Sequence, residues 1–140
     1  MRLFSHVDIR VRDRERAKTF YDALFAPLGM TSETGETFTT YTIDPDAPEG
    51  DWEWFGFTED RDMVAGSGRI AIFADTREIV DDAANAARDA GAGAIEGPGV
   101  VPEYTPSYYA VFFEDPDGNK LEVCCLTPEF REEPDGDEPE

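Results

Sequence analysis

The sequence predicts an α+β fold made of two copies of one β-α-β-β-β unit. Three observations predict it. An alternating strand runs straight into a capped amphipathic helix. The same strand–cap–helix pattern returns about 63 residues later, and three more candidate strands follow each helix. The chain has 140 residues, a length that suits one compact domain.

The first strand is "HVDIRV". Val7, Ile9 and Val11 share one face, while His6, Asp8, Arg10 and Arg12 share the other, as in a half-buried strand. Asp13 then stands where a helix N-cap belongs. Ala17, Phe20, Tyr21, Leu24, Phe25 and Leu28 recur at helical spacing, and Gly29 closes the segment. Candidate strands follow at Met30–Thr34, Phe38–Ile43 and Trp52–Thr58.

The second copy opens with "RIAIFAD". Ile70 and Ile72 share one face, and Arg69, Ala71 and Phe73 the other, so Arg69 falls where the first copy has His6. Thr76 is the expected cap. Ile79, Ala83, Ala86, Ala87 and Ala90 form the expected apolar stripe, closed by Gly91. A short strand near Ala94–Glu96 is followed by a Pro-stiffened loop, Glu96–Ser107, and then by strands at Tyr109–Glu114 and Lys120–Leu126. "DPDGN" (Asp115–Asn119) joins the last two, because Asp-Gly tolerates the positive φ of a tight hairpin. The expected organisation is one domain over residues 1–126, with modules at about 1–65 and 66–126. An acidic, Pro-rich tail over 127–140 is expected to be disordered.

The formal net charge is −20, with 32 acidic residues against 12 Lys and Arg. Phosphate and anionic-lipid binding rely on Lys and Arg, so nucleic-acid and membrane partners are not expected. Dense acid with little Lys resembles the proteins of salt-loving microbes, where salt screens the self-repulsion. Cys124 and Cys125 are adjacent on one strand and point to opposite faces, a poor arrangement for a bridge. The N-terminus lacks the apolar run of a signal peptide, and no stretch reaches transmembrane length, so a cytoplasmic protein is expected.

The stretches "HVDIRVRDRERAKTFYDALFAPLGM" and "YYAVFFEDPDGNKLEVCC" resemble the vicinal oxygen chelate superfamily: glyoxalase I, extradiol dioxygenases and bleomycin-resistance proteins. The resemblance spans roughly residues 3–126. It rests on a His in the first strand, a "FY" pair in the first helix, "DPDGN" before the last strand, and Glu122 just beyond it. It implies paired modules whose curved mixed sheets enclose a cup. In metal-bearing relatives four side chains project into the cup and hold a divalent ion that chelates substrate oxygens. The implied cofactor is therefore a divalent metal, and the implied partners are a small-molecule ligand and a second copy in a homodimer.

Carried over residue by residue, His6 matches the first ligand and Glu122 the last. Arg69 falls on the third, and a guanidinium has no lone pair for a metal. The second lies in "DWEWFGF", where Glu53 is the nearest carboxylate and Trp54 or Phe55 are the alternatives. The resemblance implies a glyoxalase- or dioxygenase-like enzyme on a small oxygenated substrate. In it a metal at His6 and Glu122 would polarise a substrate oxygen, and Glu122 or Glu53 would move the proton. The alternative is a metal-independent binding protein of the bleomycin-resistance type, or a remnant without activity. Arg69 suggests another state: beside Glu122 its guanidinium would take the place of the metal's charge and bind a ligand oxygen, while Trp54 lines the cup and Glu103 and Tyr104 are candidates for a lid. No residue set reads as a glutathione site.

Overall fold

The computed structural model describes residues 3–127, so the acidic tail lies outside the described residues except for Thr127. The β-α-β-β-β order appears twice. The first copy comprises β1 (His6–Val11), α1 (Arg14–Phe25), β2 (Thr31–Thr34), β3 (Phe38–Thr42) and β4 (Trp54–Glu59). The second comprises β5 (Arg69–Phe73), α2 (Arg77–Asp89), β6 (Gly93–Val100), β7 (Tyr109–Glu114) and β8 (Lys120–Cys125). Each copy forms a mixed sheet with its first and last strands parallel and adjacent, in the orders β1-β4-β3-β2 and β5-β8-β7-β6.

Both helices start where their caps place them. The Asp13 carboxylate accepts from the Arg16 N–H at 3.0 Å, and the Thr76 hydroxyl accepts from the Ile79 N–H at 3.1 Å. Ala17, Phe20, Tyr21, Leu24 and Phe25 are buried on α1, as expected, and Leu28 packs at the margin. On α2 the expected stripe is turned slightly. Val80, Ala83, Ala84 and Ala87 are buried, and Ile79 and Ala90 pack at the edge. Val80 opens an i, i+3, i+4, i+7 series that shares Ala83 and Ala87 with the expected one, and this series faces the sheet.

Helices and inner sheet faces share one core. Tyr21, Phe25, Tyr41, Phe55 and Phe57 form its aromatic centre beside α1, while Leu121, Val123 and Val111 join Val80 and Ala83 beside α2. The helices pack on each other, and Phe20 meets Phe113 across the two copies. The faces bearing His6 and Glu122 are the ones turned away from the helices.

One expected loop is a strand. β6 continues through Gly97, Pro98 and Gly99 to Val100, with register shifts against β7 on either side of Glu96. Gly-Pro-Gly reads as a loop in sequence, but irregular pairing absorbs it on an edge strand.

The β7–β8 turn ties the copies together. Asp115 and Asp117 are buried. Asp115 accepts from the Tyr21 hydroxyl at 2.6 Å, from the N–H groups of Asp117 and Asn119 at 2.9 Å, and from the Asn119 side chain at 2.9 Å. Asp117 accepts from the Arg12 N–H at 3.1 Å and pairs with the guanidinium groups of Arg12 and Arg16. Asn119 also donates to the Arg10 carbonyl at 3.1 Å.

A buried carboxylate stripped of a donor is costly. Tyr21→Phe keeps the ring and removes only the hydroxyl, so it is expected to lower stability by about 1.5–3 kcal/mol. Denaturant unfolding at fixed salt measures this, and an unchanged midpoint would contradict it.

Candidate functional site

Strand pairing sets what each outer face carries. In the first copy His6 pairs with Trp54, Asp8 with Gly56, and Thr40 with Gly56 on the other side. Trp54, and not Glu53 or Phe55, therefore stands beside His6. Phe55 points the other way, into the core. The Trp54 indole lies over Gly56, where an added Cβ would come within 2.7 Å of the ring and 3.0 Å of the Thr39 carbonyl. The His6 imidazole stacks on the indole at 4.1 Å between centroids and 6° between planes. Its Nδ1 is within 2.9 Å of the Ser5 hydroxyl. Glu53 precedes β4; its carbonyl accepts from Thr42 and its side chain borders the neighbouring groove.

That groove holds about 540 Å³ and is lined only by residues of the first copy. Trp52, Trp54 and Phe38 give it flat apolar surface; Thr31, Thr40, Thr42 and Thr58 give it hydroxyl groups. Tyr41 belongs to the core, where its hydroxyl donates to Asp22 at 2.8 Å.

In the second copy Ala71 pairs with Glu122 and Phe73 with Cys124, while Phe112 flanks Glu122 from β7. Glu122 is only 4% exposed. Leu121 and Val123 are buried in the core on either side of it, so the period-2 placement of the carboxylate on the outer face holds. Its partner is not Arg69. The Tyr108 hydroxyl makes a short hydrogen bond to Glu122 Oε2, and the Arg69 guanidinium lies over the Phe112 ring at 4.8 Å from its centroid. A phenol donates to a carboxylate without a second charge, and the neighbouring aromatic face gives the cation an attractive seat of its own. Burial, then the hydrogen bond to Glu122, pushes the Tyr108 phenol well above its ordinary value. Burial also raises the Cys124 thiol, so it stays protonated and unreactive, and both cysteines are free.

Tyr108 was not among the sequence candidates. Counting by twos back through the hairpin from Glu122 would have placed it on the carboxylate's face. Tyr104 packs edge-on against it at 4.8 Å and is half exposed, and Glu103 is exposed beside it. Glu103 and Tyr104 thus border the Glu122 side, while His6, Trp54 and Glu53 lie on the other outer face.

The donor set does not fit a divalent ion of the family kind. Gly56 pairs with Asp8 as Glu122 pairs with Ala71, so the four equivalent strand positions carry His6, Gly56, Arg69 and Glu122, of which two can ligate. Among the described residues no three His, Cys, Asp or Glu side chains come together as a metal site.

The sequence profile of the Glyoxalase/Bleomycin resistance protein/Dioxygenase superfamily matches residues 3–123. Among solved structures, a glyoxalase/bleomycin resistance protein from Albidiferax ferrireducens T118 is 28% identical over 87% of this chain and 97% of its own, with a TM-score of 0.73. A glyoxalase/bleomycin resistance protein/dioxygenase family enzyme from Burkholderia phytofirmans PsJN is 22% identical over 88% of this chain and 98% of its own, with a TM-score of 0.65. The fosfomycin resistance protein FosX from Mesorhizobium loti is 19% identical over 91% of this chain and 94% of its own, with a TM-score of 0.64. The last two likenesses establish the fold alone. Among curated proteins, none matches the chain. No helix of the described residues is long and apolar enough to cross a membrane.

Two outcomes are expected. Gly56→Ala should displace the Trp54 indole and alter the near-ultraviolet circular dichroism of tryptophan while the far-ultraviolet signal is kept; an unaltered tryptophan signal would contradict the packing. The second concerns alkali. The phenols of Tyr21, Tyr41 and Tyr108 are all raised above the ordinary value of 10.0, by burial first and by their carboxylate partners after it. Above pH 10 the unfolded chain loses these protons before the folded one does. Folding stability should therefore be intact below pH 10 and fall as pH rises beyond it. Unfolding curves at stepped alkaline pH test this, and a flat profile would contradict it.

Proposed function

The chain belongs to the Glyoxalase/Bleomycin resistance protein/Dioxygenase superfamily, and from that premise we propose a metal-independent cup that binds a small molecule between two copies of the chain. One observation carries the reading. Gly56 stands at the first-copy equivalent of Glu122, with the Trp54 indole laid over it, and Arg69 stands at the second-copy equivalent of His6, so a residue without a side chain and a fixed cation occupy places where relatives hold a metal.

The two-chain cup is supported by the arrangement of the outer faces. The helices share one core, and the groove beside His6 is lined by the first copy alone. Glu122 lies on the other sheet, and no hydrogen bond, ion pair or ring contact joins it to His6 among the described residues. Each face is thus half of a cup. A second copy related by a two-fold axis would set the His6 face of one chain against the Arg69–Glu122 face of the other. On this reading residues 1–126 work as one domain, and the homodimer is the functional unit.

Within the cup Arg69, Trp54, Glu103 and Tyr104 contact the ligand. Glu122 Oε2 is held by Tyr108, and its other oxygen remains an acceptor for a ligand hydroxyl or N–H. Should the ligand carry an acidic proton, that oxygen is the base that would take it. The second reading, an enzyme with a metal shared by His6 of one copy and Glu122 of the other, is favoured by the survival of both residues.

Metal titration of the purified protein at high salt separates the readings. The proposal expects no stoichiometric divalent metal and no difference between wild type and the His6→Ala or Glu122→Ala variants. It also expects Arg69→His to raise metal affinity by restoring a donor. Stoichiometric metal in the wild type, lost in both alanine variants, would overturn the proposal in favour of the metalloenzyme.

A further inference from the structure

Resting on the reading of the second sheet's outer face as half of a ligand cup, we infer that this half takes a small zwitterion with an apolar body. Arg69 pairs with the ligand's carboxylate, and Glu122 with its ammonium group.

The chain carries 32 acidic residues against 12 Lys and Arg, and most of the described cations are engaged by an ion pair or a hydrogen bond. Lys120, beside Arg69 in the β5–β8 ladder, reaches Glu114 at 3.4 Å. Arg69 forms neither bond among the described residues. Its guanidinium sits over the Phe112 ring instead, 4.8 Å from the centroid. Phe112 is on β7 and Arg69 on β5, with β8 between them, so the side chain crosses β8 on the outer face. A ring takes up one face of a guanidinium and leaves the N–H donors along its edge free.

Glu122 is the matching half. It neighbours Phe112 across the β7–β8 ladder and is almost fully buried. Tyr108 donates to Oε2, and Oε1 has no hydrogen-bond partner among the described residues. A carboxylate so removed from water calls for further donors. Arg69, seated on the neighbouring ring, does not supply one, because no ion pair joins the two among the described residues. An acceptor short of a donor thus stands near a cation short of an anion. A zwitterion answers both, through two charge-assisted hydrogen bonds. A ligand with an anion alone would meet repulsion from Glu122, and one with a cation alone would meet it from Arg69.

The β5 side gives the approach and the apolar contact. Ala71 flanks Glu122 from β5 with only a methyl group. Phe73, two residues further on the same face, is 70% exposed and offers a ring to the ligand's apolar part. The general acidity of the chain does not account for such a preference, because it attracts net positive charge and a zwitterion has none.

Ligand-observed NMR titration of the whole protein at fixed high salt tests this with phenylalanine, 2-phenylethylamine, which lacks the carboxylate, and 3-phenylpropanoate, which lacks the amine. Phenylalanine is expected to bind tighter than either by about tenfold or more. Arg69→Gln should bring phenylalanine down to the level of 2-phenylethylamine, and Glu122→Gln to the level of 3-phenylpropanoate. Far-ultraviolet circular dichroism checks the fold of each variant, and Arg69→Gln, at an exposed position, carries the test should Glu122→Gln not fold.

Equal or tighter binding of 2-phenylethylamine would mean diffuse attraction to the acidic surface and would overturn the assignment. So would equal or tighter binding of 3-phenylpropanoate, a preference for phenylalanine that survives Arg69→Gln, or binding of none of the three. In a metal-free dimer each of these outcomes sinks the zwitterion alone and leaves the cup reading standing; stoichiometric metal would sink the cup reading instead.

Discussion

Two buried aspartates in the β7–β8 turn hold the molecule in its working arrangement. A carboxylate removed from water must be paired or fully hydrogen-bonded. Asp115 and Asp117 meet that demand across the two copies, through Arg12 at the end of β1 and through Arg16 and Tyr21 on α1. The turn therefore cannot form as observed unless the first copy is in place. It also fixes where β8 begins, and with it the face on which Glu122 stands. The N-terminus of α1, the end of β1 and the carboxylate of the second sheet are set by one polar junction.

Given that junction, the two sheets present unlike halves. The first carries an indole laid over a glycine, a stacked imidazole and a groove of acceptors. The second carries a buried carboxylate held by a phenol, beside a guanidinium seated on a ring. Relatives of this fold use equivalent strand positions for metal ligands. Here two of those positions hold Gly56 and Arg69, which cannot ligate a metal, and the two copies of the repeat differ in what they present.

Much of this was legible in the sequence because it depends on local chemistry. Asp13 and Thr76 cap their helices through bonds three residues long, and the alternation in "HVDIRV" and "KLEVCC" assigns faces without tertiary information. The resemblance named the fold for the same reason: its motifs are short and local. What the sequence concealed depends on register across longer gaps. The loop between β3 and β4 has no fixed pairing, so whether Glu53 or Trp54 stands beside His6 could be read only from the strand ladder. Pairing of Glu122 with Tyr108 rather than Arg69 turns on geometry between strands. Gly97-Pro98-Gly99 reads as a loop, and the edge position of β6 is what lets it remain a strand. Asp115 and Asp117 read as turn residues, and their second role appears only once α1 lies against them.

The proposed binding site requires that the cup form between chains. His6 and Arg69 occupy equivalent positions in the two copies, so a two-fold cup sets one chain's His6 opposite the other's Arg69. The most direct measurement is oxidation of the His6→Cys, Arg69→Cys double variant, read on a denaturing gel, with sedimentation of the unmodified protein beside it. A two-chain cup predicts a covalent dimer from a protein that is dimeric in solution. A cross-link formed within a single chain, or a monomer that forms no cross-link, would contradict it.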